Sequence, residues 1–283
     1  MTSLLARFVA ANRRLSIFVE KGLPPTFKRH LHTLYKYEVA ELINRQSGQV
    51  VLDIGGGKDC PFLPFVQRPD GHLIVALDRS EEELRGNHHL HCKIVSDAAG
   101  PRFPLRDQSA DLVVSRSVVE HIHNNIAFFE NCARVLRPGG IMIHTFPGKF
   151  APFSVLNQLL PNKLTRRLLA YLHSDWKDEC GFPAFYDRCY FSAIRDLLMR
   201  NGFQNPRFFF RYYQSIYFDF FFPLYVLMIA YDLIIWMLRV RNLACGILVT
   251  AEWASNDRAN PPTGLAQKAC GPGNTGCPTS HTP

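Results

Sequence analysis

Residues 51–60 read VLDIGGGKDC, an apolar run followed by an acid, an isoleucine and three consecutive glycines. Glycine has no Cβ atom, so a glycine-rich turn lets backbone N–H groups come close to a ligand or to another part of the chain. A tight turn that binds nothing would use the same residues. The sequence on either side has to separate these two interpretations.

Short apolar runs alternate with helical and loop segments along the chain. The runs are VVLDI (50–54), HLIVALD (72–78), HCKIVSD (91–97), DLVVS (111–115) and GIMIHTF (140–146). Helical patterns occur at 27–44, in EEELRG after Ser80 and in NNIAFFENCARVLR before Pro138. This alternation predicts an α/β fold, a mostly parallel sheet with helices on both faces. Ligands of such sheets bind outside the carboxyl ends of the strands, where the glycine turn lies.

Composition limits the class of protein. The 283 residues, 47% of them hydrophobic, suffice for one α/β domain with additions. A formal net charge of +8 favours an anionic partner such as a lipid surface or an acidic substrate. Nucleic acid is disfavoured because no separate basic module is evident. The eight cysteines contain no CxxC pair, which indicates a reducing compartment and neither a zinc site nor a disulfide framework.

Three histidines, His88, His89 and His91, invite a metal interpretation. No carboxylate lies beside them, and His91 begins a predicted strand whose side chains alternate between faces. We therefore interpret them as exposed loop residues and predict no metal site.

Acids end three successive predicted strands. Asp78, at the second strand, can accept the protons of both hydroxyls of a ribose. Asp97, at the third, can accept from the exocyclic amine of adenine, with the backbone of Ala98 beside it. Together with Asp53 they predict a ligand that contains adenosine.

Four segments carry a resemblance: VLDIGGGKDC, LIVALDRS, IVSDAAGPRFPLRDQSADLVVSRSVVEHI and ARVLRPGGIMIHTFPG. They resemble successive motifs of the class I S-adenosylmethionine-dependent methyltransferases, especially the group that acts in quinone biosynthesis and on other small molecules. The resemblance implies a doubly wound, seven-stranded Rossmann-like sheet with an antiparallel last strand and helical insertions, and S-adenosylmethionine as cofactor. By position it implies these cofactor-binding residues: Asp53, Gly55 and Gly57 at the methionine end and ribose, Asp78 at the ribose hydroxyls, Asp97 and Ala98 at the adenine, and Ser115 near the methionine. Asp59 occupies the position of the family's usual third glycine.

The tips of the fourth and fifth strands face the transferred methyl group in this family. Methyl transfer from a sulfonium mainly requires alignment of the reactants in a site shielded from water. An acidic hydroxyl acceptor additionally needs a base, and histidine suits this role. We expect His144 to be that base, with His121 and Glu120 as further candidates. Glu120 and His121 are alternatively part of the cofactor shelf or a helix cap.

Two other functions stay open. An NAD(P)-dependent oxidoreductase would place the last glycine of G-x-G-x-x-G at Cys60, and Pro61 and Pro64 would remove N–H donors from the following turn. The RPGG turn at 137–140 also favours a methyltransferase. A methyltransferase-like protein that binds without catalysis is the third hypothesis, kept open by Asp59.

The chain divides into three predicted parts. N-terminal helices or a lid span 1–47, the methyltransferase domain spans 48–253, and a disordered tail rich in Pro, Gly, Thr and Asn spans 254–283. The domain contains a substrate wall at about 150–190 and a hydrophobic helical insertion at about 216–240. Candidate pocket residues in the wall, which ordinary helix packing would explain equally well, are Tyr171, His173, Trp176, Phe185 and Tyr186.

Residues 216–238 form an apolar run of membrane-spanning length. Predicted strands of one sheet flank this run, so a single span would separate them across the bilayer. The run is therefore expected to lie in the membrane interface as an anchor, or to be a buried or dimer-forming helix. The first of these predicts a hydrophobic or lipid-linked acceptor and an anionic membrane partner. The N-terminus lacks a secretory hydrophobic region, which predicts a cytoplasmic protein, peripheral at the inner face of the membrane.

Overall fold

A computed structural model describes residues 4–160 and 183–254. Seven strands form one sheet in the order β3-β2-β1-β4-β5-β7-β6, in which β7 runs antiparallel to both neighbours. The predicted mostly parallel sheet with an antiparallel last strand is confirmed. The strands are β1 Val50–Ile54, β2 Leu73–Asp78, β3 Cys92–Val95, β4 Ala110–Arg116, β5 Leu136–Pro147, β6 Phe203–Arg211 and β7 Gly246–Trp253.

Helices surround this sheet. They are α1 Leu4–Lys21, α2 Leu31–Asn44, α3 Glu81–Gly86, α4 Asn125–Val135, α5 Pro152–Leu159, α6 Phe191–Arg200 and α7 Phe222–Met237. Two of them begin at a side-chain cap: Ser80 accepts from the N–H of Glu83, and Asn124 accepts from the N–H of Ala127. Such caps satisfy N–H groups that the first helical turn cannot pair internally.

Each face of the sheet packs into its own core. Val51 belongs to the core under α2, whereas Leu52 and Ile54 belong to the core under α4 and α6. Side chains alternate between faces along a strand, and a sheet covered on both sides buries both sets. This explains why the strands read as continuous apolar runs.

The chain after the glycine turn departs from the usual doubly wound pattern. A 3₁₀ turn, Leu63–Phe65, follows β1 where an α-helix is expected. Pro61 and Pro64 lack N–H groups, so this segment offers a ligand fewer backbone donors than a regular first helical turn would. The glycine turn therefore presents no helix N-terminus to a ligand.

The apolar run at 216–238 folds back between β6 and β7. It consists of the end of a 3₁₀ turn, Ser215–Phe218, and the helix α7. Of the helices that the structure describes, none combines the length and the apolar character needed to cross a membrane. The predicted tail at 254–283 lies outside the described residues, apart from Ala254.

Candidate active site

The glycine turn is packed too tightly for side chains. Gly55 has a φ of 76°, and a Cβ atom there would overlap Cγ2 of Val118. A Cβ atom at Gly57 would lie 2.7 Å from Oδ2 of Asp78. Glycine is thus required at both predicted positions, because Gly55 lies against Val118, beyond the end of β4, and Gly57 lies against Asp78, at the end of β2.

Asp78 joins the tips of β1 and β2. Its Oδ2 accepts the N–H of Gly57 at 3.1 Å, and its Oδ1 accepts the N–H of Ser80 at 2.8 Å. A carboxylate can accept about four hydrogen bonds, so each oxygen keeps capacity for one more donor. The two hydroxyls of a ribose supply two such donors, and the residues present therefore fit the adenosine moiety of S-adenosylmethionine.

Asp53 lies buried beneath the turn, 4% exposed. Burial raises its pKa to about 8, and the charge of Arg116 opposes that rise. A buried carboxyl group near neutrality ionises readily when a cation approaches. The sulfonium and ammonium groups of S-adenosylmethionine are such cations, so this end of the turn also fits the cofactor.

Two further contacts hold the turn in place, and neither was predicted from the sequence. The side-chain amide of Asn87, 2% exposed, donates to the carbonyl of Gly56 at 3.1 Å. Asp59, the residue in place of the usual third glycine, pairs with Arg116 at 3.2 Å, Nη2 to Oδ1. The departure at Asp59 thus adds an ion pair between the turn and the tip of β4.

Asp97 follows β3, which is shorter than predicted and ends at Val95. Its Oδ1 accepts the N–H of Ala99 at 2.9 Å, and its Oδ2 lies 4.0 Å from Nε of Arg79. Ala98 is buried. Asp97 itself is exposed beside the β2 tip, a location that suits the predicted contact with adenine.

Ser115 and His144 occupy the sheet interior. Both are 0% exposed, and Ser115 Oγ lies 2.7 Å from His144 Nδ1. The other ring nitrogen of His144 faces Sγ of Cys132 at 3.9 Å, and the rings of Phe128 and Phe129 pack around it. Burial lowers the pKa of His144 to about 3. These contacts disfavour the predicted role of His144 as a base and the predicted contact of the Ser115 side chain with the cofactor.

Of the three predicted catalytic residues, Glu120 best combines the properties expected of a proton acceptor, namely burial, an oxygen without a hydrogen bond to the described residues and a raised pKa. It is 5% exposed, and its Oε2 has no hydrogen-bond partner among the described residues. Burial raises its pKa to about 8. An unpaired buried carboxyl group is costly, and such groups cluster at functional sites. His121 Nε2 lies 3.9 Å from Glu120 Oε1, and His121 Nδ1 lies 2.9 Å from the carbonyl oxygen of Pro183.

The segment 183–189 forms a wall over this acid. The N–H groups of Phe185 and Tyr186 donate to the carbonyl of Glu120 at 2.8 and 3.0 Å. Burial raises the pKa of Tyr186, and the negative charge of Glu120 contributes to the rise. Ser117, Tyr186 and Arg188 adopt left-handed backbone, with φ of 56°, 51° and 52°. Strain of this kind concentrates at functional sites.

Other candidates lie away from this arrangement or outside the described residues. His88, His89 and His91 are exposed, and Nδ1 of His91 accepts the N–H of Ile74 at 3.1 Å. Within 4–160 and 183–254, no three His, Cys, Asp or Glu side chains group as metal ligands would. The predicted wall residues Tyr171, His173 and Trp176 lie outside the described residues.

Comparison with known proteins agrees with this geometry. Residues 52–144 match the family model described as "Methyltransferase domain". Residues 52–144 are thus similar to the domain of class I S-adenosylmethionine-dependent methyltransferases. S-adenosylmethionine is accordingly its cofactor, and the match disfavours the dinucleotide alternative.

Relatives of the methyltransferase domain have diverse names. An arsenite methyltransferase of Halobacterium salinarum is 32% identical over 151 residues, 48% of this chain and 38% of that protein. A probable S-adenosylmethionine-dependent methyltransferase of Mycolicibacterium smegmatis is 29% identical over 131 residues, 44% and 48% of the two chains. This chain thus spans less than half the length of these relatives.

Among solved structures, phosphoethanolamine N-methyltransferase 2 of Haemonchus contortus, in complex with S-adenosyl-L-methionine, has a TM-score of 0.46. It is 14% identical, and the match covers 77% of this chain and 51% of that one.

Proposed function

We propose that this protein transfers a methyl group from S-adenosylmethionine to a hydrophobic small-molecule or lipid-linked acceptor, with Glu120 as the proton acceptor. The observation that carries the proposal is the buried Oε2 of Glu120, close behind the β4 tip, which has no hydrogen-bond partner within residues 4–160 and 183–254. Strands β1 and β4 run parallel, so Glu120, which follows β4, lies at the same end of the sheet as the glycine turn, which follows β1. Ligands of this fold bind at that end, outside the carboxyl ends of the strands.

The pKa of Glu120 suits this role. A carboxyl group with a pKa of about 8 is partly ionised at neutral pH and, once ionised, is a stronger base than an exposed carboxylate. Its Oε2 would take the proton of an acceptor hydroxyl as the acceptor oxygen bonds to the methyl carbon and the sulfur of the cofactor leaves with its bonding pair. The products are the methylated acceptor, S-adenosylhomocysteine and a protonated Glu120, which returns its proton to water.

The wall beside Glu120 favours an apolar acceptor. Phe185 is 51% exposed and packs edge-on against His123, with ring centroids 6.1 Å apart. Phe150, 41% exposed, packs against Tyr190 with centroids 5.0 Å apart. Exposed aromatic rings near a buried polar group are typical of sites that bind flat or apolar molecules.

The test uses radiolabelled S-adenosylmethionine with a total lipid extract and a water-soluble metabolite extract from cells. The proposal predicts label in the organic phase, lost in Asp78→Asn, which should not hold the cofactor. Glu120→Gln should keep S-adenosylhomocysteine affinity but lose at least about tenfold in turnover.

Three results would contradict the proposal. Label only in the aqueous phase refutes the hydrophobic acceptor. Full turnover in Glu120→Gln refutes the base. Cofactor binding with no labelled product in either extract favours the non-catalytic alternative.

A further inference from the structure

The N-terminal helix α1 is amphipathic, but its polar side, not its apolar side, packs against the protein. Oγ of Ser16, a residue 2% exposed, lies 3.1 Å from the carbonyl oxygen of Asn12 and 3.3 Å from that of Asp219, and it shares its one proton between them. Arg13 pairs with the Asp219 carboxylate at 3.2 Å, Nε to Oδ1, and Asn12 Oδ1 accepts the N–H of Phe222 at 2.8 Å. The helix is thus fixed to the start of α7 by polar contacts, in contrast to a surface helix that buries its apolar stripe.

The apolar side of α1 faces solvent. Leu4, Phe8, Leu15 and Phe18 are 86%, 50%, 52% and 78% exposed. They recur at intervals of four, seven and three residues, which places them on one stripe about 21 Å long. A soluble surface does not explain four large apolar side chains in one row.

Helix α7 adds a second exposed stripe of the same kind. Its exposed large side chains are Val226, Leu227, Ile234 and Met237. The stripes meet where the rings of Phe8 and Phe221 stack with centroids 6.4 Å apart. We name these two stripes with Phe221 the outer apolar face.

Basic residues border the outer apolar face. Arg7, Arg14 and Lys21 are exposed and spaced seven residues apart, so they form one row beside the α1 stripe. Arg239 is exposed just beyond the end of α7. Long basic side chains beside an apolar stripe are typical of helices that lie in the interface of an anionic bilayer.

We infer that the outer apolar face docks on an anionic lipid bilayer, with the Leu4, Phe8, Leu15 and Phe18 stripe inserted among acyl chains and the Arg7, Arg14 and Lys21 row at the lipid phosphates. A second copy of this chain fits less well, because an antiparallel twofold contact through α1 would set the two basic rows side by side, and a contact with another copy supplies no anionic groups to pair with them as lipid phosphates do. The inference extends the proposed lipid-linked acceptor, but it is independent of turnover, since docking requires no methyl transfer.

The test is cosedimentation of the full chain with vesicles of phosphatidylcholine, with and without phosphatidylglycerol. Binding should need the anionic lipid and weaken as salt rises. The double variant Leu15→Ser/Phe18→Ser should lower the partition coefficient by about tenfold or more. Arg7→Gln/Arg14→Gln should lower binding at low salt and reduce its salt dependence.

The control is Val95→Ser/Met199→Ser, which removes two exposed apolar side chains from elsewhere on the surface, 55% and 58% exposed. It should bind vesicles as the parent does. Calorimetry with S-adenosylhomocysteine checks that each variant is folded and separates loss of docking from loss of the proposed function.

Several outcomes overturn the inference. The parent does not sediment with anionic vesicles, or the α1 variant sediments as well as the parent. Light scattering shows a dimer that Leu15→Ser/Phe18→Ser converts to a monomer, in which case the face is a contact between protein copies.

Discussion

Replacing Asp78 by Asn is the sharpest test of the cofactor site. The Asn oxygen can still accept the N–H of Ser80, but its amide group would meet the N–H of Gly57, so two donors would face each other. The variant also loses the charge that strengthens hydrogen bonds from a ribose. Loss of one charge-assisted bond, worth about 1.5–3 kcal/mol, corresponds to about 10- to 150-fold weaker binding, and loss of both would weaken it further.

The assay is calorimetric titration of S-adenosylhomocysteine into the parent, the Asp78→Asn variant and a control, Asp70→Asn. Asp70 is exposed in the turn that precedes β2, at the opposite end of this strand from Asp78. The control should bind like the parent. If a folded Asp78→Asn variant binds within about threefold of the parent, Asp78 does not hold the ribose and the placement of the cofactor is refuted.

Three further predictions concern the turn, the acid and the buried histidine. Asn87→Ala should lower the free energy of unfolding in urea by about 1–3 kcal/mol, because the carbonyl of Gly56 loses its buried partner, while His89→Ala should change little. Burial raises the pKa of Glu120 to about 8, so its neutral form stabilises the fold at low pH and this contribution is lost as pH rises through about 8. Glu120→Gln should therefore match the parent near about pH 4 and be more stable by about 1–3 kcal/mol at about pH 9; equal stability at both pH values would refute the raised pKa. His144→Leu should destabilise the fold but leave turnover within about tenfold of the parent, and a complete loss of turnover in a folded variant would restore His144 as the base.

The sequence predicted the sheet well because its signals are local. Apolar runs in β1, β2, β4 and β5 reflect burial on both faces, and the glycines and Asp78 reflect a turn whose parts lie on two consecutive strands, β1 and β2. The 3₁₀ turn in place of a helix was not predicted, because Pro61 and Pro64 show where N–H donors are missing but not how the chain continues.

What the sequence did not predict depends on contacts between distant residues. Alternation along β5 does not show which face His144 occupies, so its burial against Phe128 and Phe129 had to come from the fold. Asn87 bonds Gly56, 31 residues away along the chain, and no pattern in the sequence around His88, His89 and His91 indicated this contact. The exposed apolar stripe of α1 was not predicted, because helices usually bury their apolar side. The contacts of Ser16 and Asn12 with the start of α7 show that α1 instead packs through its polar side.

A chain of hydrogen bonds connects the outer apolar face to the wall at Glu120. Asp232 of α7, 0% exposed, accepts the backbone N–H of Gln214 at 2.9 Å. The side chain of Gln214 in turn accepts the N–H of Phe153 in the first turn of α5.

Helix α5 completes the connection. Its Asn157 donates to the Tyr186 hydroxyl at 3.1 Å, and Tyr186 is the wall residue whose N–H bonds the carbonyl of Glu120. The same helix exposes Leu156 and Leu159, 39% and 76%. One helix thus contacts the wall on one side and presents apolar side chains to solvent on another. If both proposals hold, α5 is the element that would link an acceptor dissolved in lipid to the wall above Glu120.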